Sequence, residues 1–350
     1  MDYISNNLKR VRLINNYSLK KAGELLNMTS TAIMKYENGT LIPNSKKLIE
    51  FAKAYNVKVS DLLKKSDYPE LKFNSFRKKK KLTGKKLEIL KLLIQEKVSN
   101  YLFVLSLAQI NESQNSIIDK FKCNSIEDAE KASVEFRKKY NLSNVQPLSD
   151  LINTLENIGI IVIKIPNENK MFDGFDGLSE VVNGIPIIVL CDDIKDGARE
   201  RFTIAHELGH IIIKTNENVD EEKICNRFAS SLLMPKEAMI HEFGNSRSKI
   251  SYQELMFFKA EYKVSIAATI YRLKELGIIN EYTNRQLNIL ISTMGWKKEE
   301  PFIIDNEKTN QYKKLVHRLE IDNIISISKA CELLGVTSYE YNSKEYNCRY

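Results

Sequence analysis

Apolar and polar residues follow different rhythms along this chain. Over residues 8–63 the apolar positions return at helical spacing in five short runs, 8–14, 18–26, 29–37, 45–55 and 60–63. The punctuation between them is tight. Ser18 and Thr29 stand where helix N-caps belong, Asn38-Gly39 closes the third run and Pro43 precedes the fourth. Residues 85–110 and 125–140 predict two longer helices, expected to pack as a hairpin with Phe73 and Phe76 docked at its start. From residue 147 the pattern mixes. It predicts an amphipathic helix over 147–158, strands over 159–163 and 185–190, an alternating edge strand over 178–182, a largely apolar helix over 201–213 and a striped helix over 220–233. A further pair, 252–262 and 265–276, has Ser265 as its cap, Gly277 as its stop and an apolar stripe through Ile266, Ile270, Leu273 and Leu276. That stripe predicts a structural helical cap in preference to a helix pair with an exposed reading face. Residues 325–335 form another small helical module, the end at Tyr350 reads as frayed, and no repeat is expected beyond the recurrence of helix pairs. The fold class that follows is α+β, mostly α.

The chemistry concentrates at His206-Glu207-Leu208-Gly209-His210, in a chain with only four histidines. Residues i and i+4 share one face of a helix, so both imidazoles can grip one Zn²⁺ with Glu207 beside it as general base toward an activated water. A catalytic zinc needs a third protein ligand. Glu222 is the candidate, because it lies on the same helical stripe as Cys225, Ala229 and Leu233. Asp220 and Glu221 are expected to point elsewhere as first-turn acids. Cys225 is read as a small core residue, with soft ligation as its alternative. His241 is a loose candidate for stabilising an oxyanion, against the plainer reading of an exposed histidine near a helix end.

Residues 201–210, followed by Glu222-x-x-Cys225-Asn226-x-Phe228-Ala229 and Leu232-Leu233-Met234-Pro235, resemble the ImmA/IrrE family of bacterial zinc metallopeptidases. The order of helix, small sheet and metal helix upstream is similar to that family's catalytic domain, so the resemblance covers about residues 125–300. Two departures are visible: Cys225 stands where the family usually has Ala, and Cys191-Asp192 where an Asn is common. The resemblance implies Zn²⁺ as cofactor and, as substrate, a helix-turn-helix repressor or antitoxin-like regulator.

At the other end, two helices joined by a turn at Asn27-Met28, the second of them polar, follow the helix-turn-helix plan for entering a major groove. The stretch resembles the Xre-type, lambda-repressor-like domain, notably in Ile33-x-x-Tyr36-Glu37-x-Gly39 and Pro43. The resemblance makes Thr29, Ser30, Thr31 and Lys35 the positions to face bases or phosphates of double-stranded DNA, whereas Ile33 and Tyr36 are core by spacing. Leu19 departs from it, since a polar Gln frequently stands there to contact the DNA backbone.

Charge sharpens the division. Residues 1–81 hold 18 Lys+Arg against 7 Asp+Glu, a local balance of +11 in a chain whose net charge is +8. The basic excess is therefore confined to the DNA-reading end, including the run 77–81, read as a solvated linker or as extra phosphate contacts. Five scattered cysteines, Cys123, Cys191, Cys225, Cys331 and Cys348, have no CxxC spacing and argue for reduced thiols. With no long apolar run and no leader pattern, a soluble cytoplasmic protein without membrane association is expected. The expected organisation is a five-helix DNA-binding domain (1–66), a basic linker and helical connector (67–124), a zincin-like metallopeptidase domain (125–300) with a small sheet and helical cap, and a small helical tail (301–350). A homodimer on a two-fold operator stays open. Two functions remain: a DNA-tethered zinc endopeptidase, or a transcription regulator whose metallopeptidase fold serves as sensor or dimerisation platform.

Overall fold

A computed structural model describes residues 3–65, 84–110, 120–167 and 170–343. The basic run 77–81, Phe73, Phe76 and the end at Tyr350 lie outside these residues. The chain divides into two compact units, the second beginning within a long helix after residue 102.

The first unit starts with α1 (Tyr3–Ile14), α2 (Leu19–Leu26), α3 (Ser30–Glu37), α4 (Ser45–Ala54) and α5 (Val59–Leu63). The expected caps form: Ser18 accepts from Lys21 N at 3.0 Å and Thr29 from Ala32 N at 3.2 Å. Between α2 and α3, Asn27 takes the left-handed conformation (φ 52°). A Cβ on Gly23 would lie 2.5 Å from Met28 O, so this turn as built has no room for a side chain there. Leu8, Ala22, Ile33, Phe51, Tyr55 and Leu62 form the core. Beside it, Arg12 grips Glu37 with two buried bonds, Nε–Oε1 at 2.5 Å and Nη2–Oε2 at 2.8 Å, tying α1 to the end of α3. The unit also takes in residues 85–102 of α6 (Lys85–Leu107) and residues 170–175. Glu88 and Glu96 of α6 each lie 2.9 Å from a basic residue of α1, Lys9 and Arg10.

The second unit is built on a three-stranded sheet. It opens with β1 (Phe121–Lys122), α7 (Ile126–Lys139), α8 (Leu151–Asn157), β2 (Ile161–Ile165), β3 (Gly177–Val182) and β4 (Ile185–Cys191). The strand order is β2-β4-β3, with β2 parallel and β3 antiparallel to the central β4. Every position of β4 is buried, as a central strand requires. The sharp β3–β4 link at Asn183-Gly184 uses two positive φ angles, 52° and 83°. Then follow α9 (Gly197–Ile212), β5 (Ile213–Lys214, parallel to β1), α10 (Glu221–Leu233), α11 (Lys236–Phe243), α12 (Tyr252–Tyr262), α13 (Ile266–Glu275), α14 (Glu281–Thr293), α15 (Gln311–Ile321), α16 (Ile327–Leu334) and α17 (Ser338–Tyr341). α9 packs on β3 and β4, and α10 lies between α9 and α7. The fold is α+β and mostly α, as the residue pattern predicts. Among the described residues no helix is long and apolar enough to cross a membrane.

Two expectations are corrected. The helix predicted from 147 begins at Leu151, because Asp150 caps it by accepting from Asn153 N at 2.9 Å. The first strand starts at Ile161, since Gly159 (φ 89°) is spent on the turn after α8. α7 pairs with α10, where Arg137 Nε and Nη2 donate to Leu232 O at 3.0 and 2.6 Å. By contrast Ile266, Ile270 and Leu273 are buried in the core of this unit, so α12–α13 is the structural cap the stripe implies.

Candidate metal centre

α9 runs sixteen residues without a break from its cap at Asp196, which accepts from Ala198 N at 3.0 Å. The uninterrupted turns place His206 and His210 one above the other, ring centroids 4.8 Å apart. α10 crosses against them. Its approach is set at Gly209, where a Cβ would meet Cα, Cβ and Sγ of Cys225 at 3.2 Å. Asp220 caps α10 through Lys223 N, and the first turn delivers Glu221 and Glu222 to the histidine pair.

Three donor atoms converge. His206 Nε2 lies 3.1 Å from His210 Nε2 and 3.3 Å from Glu222 Oε2, and His210 Nε2 lies 3.6 Å from Glu222 Oε1. A tetrahedral zinc with ligands at about 2.0–2.1 Å has ligand-to-ligand edges of about 3.3–3.4 Å, which these three separations bracket. The far side of each ring is also held. His206 Nδ1 is 2.9 Å from Asn226 Oδ1, and His210 Nδ1 is 2.9 Å from Glu221 Oε1. Both partners are acceptors, so both Nδ1 atoms donate and both Nε2 lone pairs face one another. A metal ion between them, or a proton shared by the two rings, satisfies both lone pairs. Burial, and then the neighbouring His210, push the His206 pKa below the ordinary imidazole value, which keeps its ring in the neutral, ligating form.

Glu221 corrects the expectation for it. It is a first-turn acid, but it also backs His210, because residues 221 and 222 are turned about 100° apart and so reach different sides of the pair. Asn226, one turn beyond Glu222, is its counterpart at His206. Cys225 is buried, with Sγ 3.6 Å from His210 Nδ1, and forms a second ligand-type group with His210 and Glu221. That group lies on the ring edge already taken by the Glu221 carboxylate and excludes His206, so the set of His206, His210 and Glu222 fits a metal better.

Glu207 is only 2 % exposed, and Ser179 Oγ on β3 donates to its Oε2 at 2.9 Å. Neither Ser179 nor Glu221 has a signal in residue spacing alone; Asn226 does, four residues after Glu222 on the same stripe. His241 is exposed, 3.0 Å from its own neighbour Glu242, and nothing in its surroundings supports an oxyanion role. In the first unit Ser30, Thr31 and Lys35 stand exposed on α3, while Thr29 is exposed with its hydroxyl oxygen engaged in the cap. Leu19 packs partly buried against the core, so its side chain is occupied inward.

Residues 155–274 match the family described as the IrrE N-terminal-like domain, and residues 8–62 match the helix-turn-helix family. No curated protein matches the chain. The two matched segments contain, respectively, the converging histidine and glutamate donors and the capped α2–turn–α3 pair. Residues 8–62 thus carry an Xre-type helix-turn-helix domain, and residues 155–274 an IrrE N-terminal-like, metallopeptidase-type domain of the ImmA/IrrE kind.

Proposed function

We propose that this chain is a DNA-binding transcription regulator carrying a zinc-dependent endopeptidase that cleaves a repressor-type regulatory protein. The observation that carries the reading is the convergence of His206 Nε2, His210 Nε2 and a Glu222 carboxylate oxygen, each ring fixed from behind by an acceptor. Zinc held there supplies a Lewis acid that polarises a scissile carbonyl and acidifies water near it. Glu207 takes the proton as water adds to the carbonyl carbon, then passes it to the leaving amine. Ser179 fixes one oxygen of that carboxylate by its hydrogen bond. β3, the last strand of its sheet, carries Ser179, so an extended polypeptide pairing with its outer edge would run beside the base. Thr29, Ser30, Thr31 and Lys35 present the first unit to the major groove and its phosphates. The division of labour follows residues 1–66 as reader, 67–124 as connector, 125–300 as peptidase and 301–350 as tail.

The test mixes zinc-loaded protein with helix-turn-helix repressors encoded near it and resolves the fragments. Cleavage by the wild type, and none by Glu207→Gln with its zinc retained, is the expected result. A zinc-replete wild type that cuts none of them, while Thr31→Ala and Lys35→Ala abolish regulation in cells, would replace this reading with the sensor or dimerisation platform.

A further inference from the structure

The last described helices repeat the first ones. α15, α16 and α17 begin at residues 311, 327 and 338, and α1, α2 and α3 at residues 3, 19 and 30, a constant offset of 308 residues. Residues 18–30 and 326–338 align without a gap and are identical at eight of thirteen positions, Ala22/Ala330, Glu24/Glu332 and Thr29/Thr337 among them. The bonding is repeated as well. Ser326 caps α16 through Lys329 N at 3.2 Å and Thr337 caps α17 through Glu340 N at 3.1 Å, matching Ser18 to Lys21 N and Thr29 to Ala32 N. The turn is closed by Val336 N on Cys331 O at 3.0 Å, where the first copy has Met28 N on Gly23 O at 2.8 Å. Gly335 takes the left-handed place of Asn27, with φ 69° against 52°.

The cores correspond. Val316, Leu319, Ala330 and Tyr341 are buried where Leu8, Val11, Ala22 and Ile33 are. Tyr341 stacks on His317 of α15, and its hydroxyl lies 2.9 Å from His317 Nδ1. Among the differences, Cys331 replaces the turn glycine, and Leu333 is buried where Leu25 is exposed. The positions that correspond to the exposed start of α3 are Thr337, Ser338 and Tyr339, all exposed, Tyr339 to 86 %. Nearby, α15 carries exposed Lys313, Lys314 and Arg318.

We infer that residues 311–343 are a second helix-turn-helix unit, outside the matched segment 8–62, and that its ligand is double-stranded DNA, met by Ser338 and Tyr339 at the start of α17 and by the basic side chains of α15. Unlike the first unit it has no net basic excess over 310–343, where four Lys and Arg face four Asp and Glu. Its affinity alone is therefore low, and it acts when the first unit has already brought DNA to the chain, through effective concentration. The chain is then a two-element reader.

The inference rests on the first unit binding DNA, and the experiment separates the two. The full chain selects from a pool of randomised double-stranded DNA, and the winners are footprinted and titrated. Two distinct sequence elements are expected. Tyr339→Glu and Ser338→Glu, both at exposed positions and checked for fold by circular dichroism, should each erase the same one element and weaken binding about tenfold, or 1.4 kcal/mol. Ser30→Glu should erase the other. A single element unchanged by Tyr339→Glu and Ser338→Glu but lost in Ser30→Glu overturns the second reader and leaves the first intact. Capture of a protein partner lost in Tyr339→Glu, with DNA binding unchanged, overturns it equally. No selection in any variant removes the DNA-binding reading of the first unit itself.

Discussion

Glu221 and Asn226 decide the orientation of the two histidines, so their loss is expected to cost zinc affinity without touching a metal-facing atom. Removing such a backing group typically weakens a site 10–100-fold. Glu221→Ala and Asn226→Ala should each fall in that range in chelator-competition titrations, and unaltered affinity in both would sink the assignment. Glu156 gives a second residue-scale expectation. It is 3 % exposed on α8, accepts from Gln311 N at 3.3 Å, and burial raises its pKa from 4.5 to about 7. The folded protein thus keeps this proton up to about pH 7 while the unfolded chain releases it near 4.5, so the group favours folding below that window and loses its contribution as pH rises through it. Glu156→Gln should relieve about 1–3 kcal/mol of that loss at pH 8, seen as a smaller drop in Tm between pH 5 and pH 8 than in the wild type. At this scale the sequence shows what helical spacing enforces. His206, His210 and Glu222 are legible because their separation along a helix fixes their direction. Glu221 and Ser179 are not, because their partners come from the crossing of α10 and the packing of β3, which no local pattern encodes.

Two glycines carry the arrangement of the elements. At Gly209 a methyl would press on the backbone and side chain of Cys225 at 3.2 Å, so α10 must retreat by a few tenths of an ångström. Gly209→Ala is expected to cost about 1–3 kcal/mol in thermal unfolding and to weaken zinc binding with it, since Glu221, Glu222 and Asn226 all ride on α10. Retained zinc affinity would show that the crossing tolerates the shift. Gly197, at the start of α9, faces the backbone oxygens of Ile304 and Asp305. There Gly197 N donates to Ile304 O at 2.8 Å, and Glu307 accepts from Arg201 and from Ile152 N while its own N–H reaches Glu200. The segment 304–307 therefore fastens the front half of the metal helix. Nothing in its composition announces this. Most of the helices and β4 were legible from periodicity and caps, whereas α11, α14, α15 and α17 were not predicted. The start of β2 was not, because an apolar run does not say which of its residues the preceding turn consumes.

On the scale of the whole chain, two separate hydrophobic cores correspond to two chemistries. One gathers around Phe51 and Tyr55 beneath the basic helices, and the other around Phe136, Phe228 and Leu208 beneath the metal helix. The charge asymmetry and the two motif sets made this division readable in the sequence, but the expectation of no repeat beyond helix pairs missed the recurrence of α1–α3 in α15–α17, although residues 18–30 and 326–338 share eight of thirteen residues. A ligand stabilises the state that binds it by about 2.7 kcal/mol at a hundred times its Kd, and only the cooperative unit that contains the site receives that stabilisation. Zinc should therefore raise one of two calorimetric transitions, the one carrying α9 and α10, and leave the other in place. Duplex DNA selected by the full chain should raise the transition of the first unit, and Arg12→Ala should lower that same transition by breaking the buried pair with Glu37. If zinc moves both transitions together in the absence of DNA, the cores unfold as one and metal loading is coupled energetically to the DNA-reading end, which would make zinc occupancy a regulator of operator binding.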